Sequence, residues 1–317
     1  MLTVIFSSLN GEATLARMLE ACCGLIPPDG GWKLVAVDNG STDRTAHILR
    51  AYRHRLPIEI ITVASRGKNR ALNEAIGHAE GDLIVFTDDD VIPDRQWLRE
   101  LEACAQAHPA HELISGPILP CWPHAPDAWI LDTVPLGMVY ALTAPGQAEG
   151  EVCAGSVWGP NMAVRKSLFD RGARFNAGIG PDGSNIYMMG SETEFTRRLA
   201  RAGAKAWFCS TAQVEHIIRA HQLSTRWILE RFFRHGRSAY AFEYRGPPVV
   251  PTVFGVERWL YAQLVSSRLR ALGFRLLDKR KEWFDAMQLH YSTRGRIHQA
   301  RLMLRRIHDE PDMMDRG

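Results

Sequence analysis

Three consecutive aspartates, Asp88, Asp89 and Asp90, follow the apolar run Leu83–Thr87. A strand that ends this way concentrates negative charge where backbone dipoles give little relief, so the cluster calls for a cation. Hard divalent ions such as Mg²⁺ or Mn²⁺ take carboxylate oxygens and share them with phosphate oxygens. A solvated acidic turn has the same composition, but the strand before the triplet and Val91, Ile92 and Pro93 after it argue against that. A second polar run, Asp38-Asn39-Gly40-Ser41-Thr42-Asp43, has two readings. It can be a strand-to-helix turn, with Gly40 at positive φ and Ser41 or Thr42 capping the helix, and its composition alone favours that. It can also set the Asp38 carboxylate against the edge of a nucleobase or ribose.

The elements that must position these residues are legible from hydrophobic periodicity. Leu2–Phe6, Trp32–Val37, Ile58–Val63 and Leu83–Thr87 are short apolar runs that suit buried parallel strands. Between them, Glu12–Cys23, a stretch from Ser41 or Thr42 to about His54, and Arg70–Ala79 carry apolar residues at helical spacing. Strand and helix alternate with short connections, which predicts a Rossmann-like, mainly parallel sheet flanked by helices. Ligands bind such sheets beyond the carboxyl ends of the strands, where Asp38 and Asp88–Asp90 both fall. From Cys121 to about Gly155, Pro, Gly and Trp residues predict an irregular excursion that shapes an acceptor site. Regularity returns at Val164–Arg171 and Glu192–Ala202. Helical stretches rich in Arg, Trp and Phe follow at Trp227–Tyr240 and Trp259–Asp285, with Pro247, Pro248 and Pro251 marking a linker. The expected organisation is a catalytic domain at 1–245, its halves 1–115 and 116–245 serving donor and acceptor, and a helical, basic extension at 246–317.

The chain has 317 residues, 46% of them hydrophobic, with 38 basic against 35 acidic side chains. From Arg219 onward the count is 19 basic against 10 acidic, so charge is unevenly spread. Cys22, Cys23, Cys104, Cys121, Cys153 and Cys209 form no Cys-x-x-Cys pair, which argues against a zinc site and for free thiols in a reducing compartment. No basic n-region precedes the first apolar run, and no stretch approaches the roughly 20 apolar residues that span a bilayer. The expectation is a cytoplasmic protein, with peripheral contact at the inner face of a membrane left open. The basic region lacks a compact recognition motif, which excludes nucleic acid as the expected partner.

Taken in order, these features resemble glycosyltransferase family 2, whose members have the GT-A fold. Ser7-Ser8-Leu9-Asn10 is similar to the family's first loop, though the usual Tyr beside the base is absent. Asp38–Asp43 matches its Asp-x-Gly-Ser-x-Asp turn. Gly67, Lys68, Ala71, Leu72 and Asn73 match a Gly-Lys plus Ala-x-Asn pattern, and Ala79–Asp82 precedes the Asp-x-Asp at Asp88–Asp90. Gly159–Arg165 looks like the acceptor-side strand and turn. The resemblance spans about residues 1 to 240.

It implies an inverting, metal-dependent transfer of a sugar from a nucleoside diphosphate sugar, favouring a UDP-sugar, to a hydroxyl of a saccharide or lipid-linked acceptor. Donor contacts are then expected from Ser8, Asn10, Asp38, Lys68, Asn73, Asp88 and Asp89, with Lys68 near the base or ribose. Asp88, Asp90 and His216 would hold Mg²⁺ or Mn²⁺. The family's catalytic acid pair aligns with Gly190-Ser191-Glu192-Thr193-Glu194-Phe195, so Ser191 replaces the usual Glu and Glu192 stands for the general base. Glu194 is the rival, and Glu192 could instead merely favour a helix N-terminus. Arg219 and His221 could meet the diphosphate. A nucleotidyltransferase of related fold and a non-catalytic nucleotide-sugar or membrane-binding protein are the competing readings. In the basic region, Trp227, Trp259, Leu269, Leu276 and their apolar neighbours could pack inward or dip into a lipid headgroup zone.

Overall fold

The computed structural model describes residues 1–244, 246 and 248–309, the side chains of 306–309 excepted. In chain order the elements are β1 (Leu2–Ser8), α1 (Leu15–Cys23), β2 (Trp32–Asp38), α2 (Thr45–Ala51), β3 (Ile58–Thr62), α3 (Lys68–Ile76), β4 (Leu83–Phe86), β5 (Val91–Pro93) and α4 (Trp97–Ala107). Then come β6 (Leu113–Ser115), β7 (Ile118–Cys121), α5 (Ala128–Thr133), α6 (Leu136–Tyr140), β8 (Gly150–Val152), β9 (Met162–Arg165), α7 (Lys166–Asp170), α8 (Ser191–Arg201), β10 (Ala206–Phe208) and β11 (Val214–Ile217). The chain ends in α9 (Thr225–Glu243), α10 (Arg258–Leu276) and α11 (Arg280–Asp309).

Eight strands form one sheet in the order β3-β2-β1-β4-β9-β6-β10-β8. Its first four strands are mutually parallel, and β6 runs parallel to β10. β9 is antiparallel to both β4 and β6, and β8 to β10. β1 is apolar almost throughout and buried along its length, as a parallel strand covered on both faces must be. The register sets Ser8 beside Asp38 and Ile5 beside Phe86, so three carboxyl ends finish close together. A second sheet, β5-β11-β7, pairs His216 with Val91 and thereby draws β11 to the aspartates.

The core gathers β-branched and aromatic side chains from these strands and from α3, α7 and α8. Four phenylalanines make its centre: Phe175 stacks on Phe195 at 4.2 Å between centroids and meets Phe86 edge-on at 5.2 Å, with Phe169 alongside. Burying each such ring contributes about 2–3 kcal/mol. Phe195 lies one helical turn after Glu192, so this aromatic packing fixes the start of α8.

The chain divides into two compact units. One comprises Met1–Pro126, Pro135–Asn185 and Gly190–Ala220; the other comprises Asp127–Val134, Ile186–Met189 and His221–Gly317. The division falls before α9, earlier than the boundary at residue 245 that the proline linker suggested, because α9 packs with α10 and α11 around Tyr240, Leu260 and Ile297. Among the described residues, no helix is long and apolar enough to cross a membrane.

Candidate active site

Asp88, Asp89 and Asp90 leave β4 at its carboxyl end, after Thr87 anchors the turn by donating to the Pro160 carbonyl at 3.0 Å. Each carboxylate finds a different partner. Lys68 Nζ lies 2.7 Å from Asp88 Oδ1 and 2.8 Å from Glu192 Oε1, so one ammonium bridges two acids carried by β4 and α8. Ser8 donates its hydroxyl to Asp89. Asp90 faces His216 Nε2 at 3.4 Å and accepts from Arg219 at 3.1 Å. Lys68 and Glu192 expose only 16% and 17% of their side chains, so these charges interact with little screening.

Burial alone would raise Glu192, but the Lys68 ammonium beside it, a hydrogen bond from its own backbone and the Ser191 hydroxyl at 2.8 Å outweigh that and hold it at about 2. Asp88 is pushed up instead, chiefly by burial and by the neighbouring charges of Asp90 and Glu192, which Lys68 does not fully offset. Burial and the Asp90 charge lift Asp89 to about 7. Asp90 is also buried, yet His216 and Arg219 bring it below the ordinary value. His216 rises, because attraction to Asp90 exceeds the burial that would lower it.

The imidazole orientation shows what this corner accepts. His216 Nδ1 lies 2.7 Å from the Tyr140 carbonyl, which can only accept, so Nδ1 carries a proton. Nε2 therefore presents either a second proton or a lone pair to the Asp90 carboxylate. A second proton makes an ion pair with Asp90, which the upward shift of His216 favours; with a lone pair there instead, a cation would have to lie between the two. A backbone carbonyl behind the far nitrogen is also the usual support of a metal-ligating histidine. Asp90 and His216 thus fit a divalent ion. Asp88, the third expected ligand, is turned to Lys68, and among the described residues no group of three or more His, Cys, Asp or Glu is arranged to hold a metal ion.

The other expected residues divide. Asp38 is buried and accepts from the Ser41 amide at 3.0 Å, with Gly40 at φ 77°, so the turn reading of this run is realised. Asn10, itself at φ 57°, accepts from the Thr42 amide at 2.8 Å and ties the first loop to that turn. Lys68, expected near the base or ribose, lies between two acids whose carboxylates both reach its ammonium. Asn73, an expected donor contact, makes two hydrogen bonds within the protein. Its amide donates to the Phe175 carbonyl at 2.8 Å and accepts from the Phe175 amide at 2.9 Å, so both polar ends hold α3 to the core. Arg219, expected near a diphosphate, pairs with Asp90. Glu194 points elsewhere, paired with Arg198 at 2.9 Å one turn along α8.

Two supports escape a reading of the sequence by motif. Asn39 accepts from the Gly67 amide at 2.8 Å and donates to the Val63 and Ser65 carbonyls, fixing the turn from which Lys68 starts α3. Its place within Asp38–Asp43 was the available signal. Gly159 lies against Glu192: a Cβ there would fall 2.5 Å from Oε1. The Gly-Pro-Asn triplet was visible, but not the side chain it accommodates.

Residues 3–118 match the family model of glycosyl transferase family 2. Over 114 residues the chain is 27% identical to the poly(ribitol-phosphate) beta-N-acetylglucosaminyltransferase TarS of Staphylococcus aureus, covering 35% of this chain and 20% of that protein. It is 30% identical over 102 residues to the beta-monoglucosyldiacylglycerol synthase of Synechocystis, covering 31% and 21%. The chain thus spans about a fifth of the length of these curated relatives. Among solved structures, TarS 1-349 in complex with UDP aligns with a TM-score of 0.56 at 17% identity, over 93% of this chain and 91% of that one. The mannosyltransferase PcManGT from Pyrobaculum calidifontis, in complex with GDP-Man and Mn²⁺, aligns with a TM-score of 0.60 at 20% identity, over 94% and 86%. The resemblance read from the sequence therefore holds over residues 3–118, which match the glycosyltransferase family 2 model, and the chain has the GT-A fold of these two structures.

Proposed function

We propose that this chain transfers a sugar from a nucleoside diphosphate donor to an acceptor hydroxyl, with inversion at the anomeric carbon. The observation that carries the reading is the convergence of Glu192 from α8, Lys68 from α3 and the aspartates after β4 at the carboxyl end of one parallel sheet. That is where ligands of such sheets bind. The uridine ligand of the TarS structure supports a UDP-sugar donor, and GDP-Man in the mannosyltransferase keeps a second nucleoside in the test. The acceptor is a hydroxyl of a saccharide or a lipid-linked saccharide.

In this reading Glu192 removes the acceptor hydroxyl proton as that oxygen forms its bond to the anomeric carbon. The bond to the diphosphate breaks on the opposite face, and the diphosphate leaves with the electron pair. Asp38, Asn10, Ser8 and Asp89 would supply the donor contacts. Asp90 and His216 would hold Mg²⁺ or Mn²⁺, which supplies Lewis-acid stabilisation of the leaving charge.

Incubating the protein and Mn²⁺ with a panel of UDP- and GDP-sugars, with and without saccharide acceptors, and measuring free nucleoside diphosphate tests this directly. Release from at least one donor is expected. Glu192→Gln should slow it by about 100-fold or more, while Glu194→Gln leaves it near the wild-type rate. No release from any donor, or a larger loss with Glu194→Gln, would refute the assignment.

A further inference from the structure

Helix α10 is apolar on two opposite faces. Leu260, Ser267 and Ala271 are buried, with Leu264 between them, and this face packs on α11. Helical positions turn about 100° per residue. On that geometry Val265, Leu269, Leu272 and Leu276 form a second stripe on the far side. These side chains are open, with 59% of Val265, 62% of Leu269 and 88% of Leu276 exposed. Single exposed apolar residues are ordinary, whereas a continuous stripe several turns long marks a surface with a partner.

The charges around the stripe identify the partner. Arg268 and Arg275 border it on one side and Arg270 on the other, while Arg258 stands at the start of the helix, and all four are exposed. From Arg258 to Leu277 the chain contains no acidic residue. A second copy of this helix laid on the stripe would bring arginines towards arginines with no carboxylate on the helix to receive them. An anionic lipid surface answers both features: acyl chains receive the leucines, and headgroup phosphates meet guanidinium groups with bidentate geometry.

We propose that α10 is a membrane-surface helix, lying in the headgroup zone of an anionic bilayer on its Val265–Leu276 stripe. The inference stands apart from glycosyl transfer, since its readout needs no turnover. Lipid docking through one helix would hold the enzyme where lipid-linked hydroxyls are found.

Co-sedimentation of the full chain with vesicles tests it, using neutral phosphatidylcholine alone or with a phosphatidylglycerol fraction, at low and at high salt. Wild type should bind the anionic vesicles at low salt, bind neutral ones weakly and lose affinity as salt screens the charges. Replacing Arg268, Arg270 and Arg275 together by Ser should weaken binding by about fivefold per arginine, or roughly 100-fold in all. The pair Leu269→Glu with Leu276→Glu changes only exposed positions and should keep the native circular dichroism while losing most vesicle binding. Absence of binding to anionic vesicles would overturn the proposal, as would binding that ignores lipid charge and salt. So would wild-type affinity in either folded variant, or a dimer in velocity sedimentation that the leucine pair dissolves.

Discussion

Gly159→Ala adds one methyl group beside the proposed base and tests the assignment of Glu192 without touching its chemistry. The new Cβ would stand 2.5 Å from Glu192 Oε1, 2.9 Å from Cδ and 3.0 Å from Cγ. Gly159 is not among the positive-φ glycines, so the backbone accepts alanine and the conflict is with the side chain alone. Glu192 cannot retreat freely, because Lys68 and Ser191 each hold one of its oxygens at 2.8 Å. Relieving the overlap costs one of these charge-assisted hydrogen bonds, about 1.5–3 kcal/mol, and moves the carboxylate by about 1 Å. A displacement of that size costs roughly 100-fold in rate. Steady-state release of nucleoside diphosphate should therefore show kcat down by about 100-fold. Gly273→Ala is the matched control, as no atom lies within 4 Å of its Cβ position. It should leave turnover intact and stabilise α10 by about 0.5–1 kcal/mol. A folded Gly159→Ala enzyme with wild-type turnover would show that Glu192 is not the base in this position.

Three further outcomes follow from the same geometry. Glu192, held at about 2 against an ordinary 4.5, contributes stability that is complete above pH 4.5 and is lost as pH falls towards 2. Lys68→Met removes the counter-ion and leaves burial to raise Glu192, so stability in that variant should increase as pH falls from 7 towards 4, opposite to wild type. Denaturant unfolding across pH 2–7 reads both slopes, and parallel slopes would refute the ion-pair account. Asp90→Asn should abolish Mn²⁺-stimulated transfer, and chelator should reduce wild type to the same level; chelator-resistant wild-type activity would remove the metal from the reaction. Asn73→Ala should cost about 1–3 kcal/mol of stability by stranding the Phe175 backbone groups, with nucleotide affinity by calorimetry unchanged.

The sheet was legible because β1, β2 and β4 are short apolar runs separated by helical stripes, and parallel strands leave that trace. The aspartates were legible because they interrupt such a run at its carboxyl end. Glu192 was reachable only through family resemblance, since its partner Lys68 lies 124 positions away and no local pattern reports such a pairing. The two hydrogen bonds that Asn73 closes onto Phe175 were not legible, because no local pattern reports a partner 102 positions away. The stretch from Trp259 to Asp285 read as one helix, but the chain breaks between α10 and α11 with Asp278 at φ 53°, where neither Pro nor Gly gave warning. The excursion from Cys121 to Gly155 read as irregular, yet it holds α5 and α6, and α6 delivers the Tyr140 carbonyl that orients His216.

In the proposed reaction the shared ammonium of Lys68 would link donor binding to base strength. With Lys68 in place, Glu192 is too weak a base to take a hydroxyl proton efficiently, because its proton affinity corresponds to a pKa of about 2. Asp88 is held by the same ammonium. In the proposed reaction a diphosphate entering beside the aspartates would compete for Lys68, since two phosphate charges offer more than one carboxylate. Once Lys68 turns to it, burial is the larger influence left on Glu192, and burial raises its proton affinity. The base would then strengthen only when a donor is present, and the same movement would release the Asp88 carboxylate from its ion pair. In this arrangement the departure from the family's Glu-Asp pair is tolerable: Ser191 steadies the far oxygen of Glu192 by a neutral hydrogen bond, adding no second negative charge for Lys68 to balance.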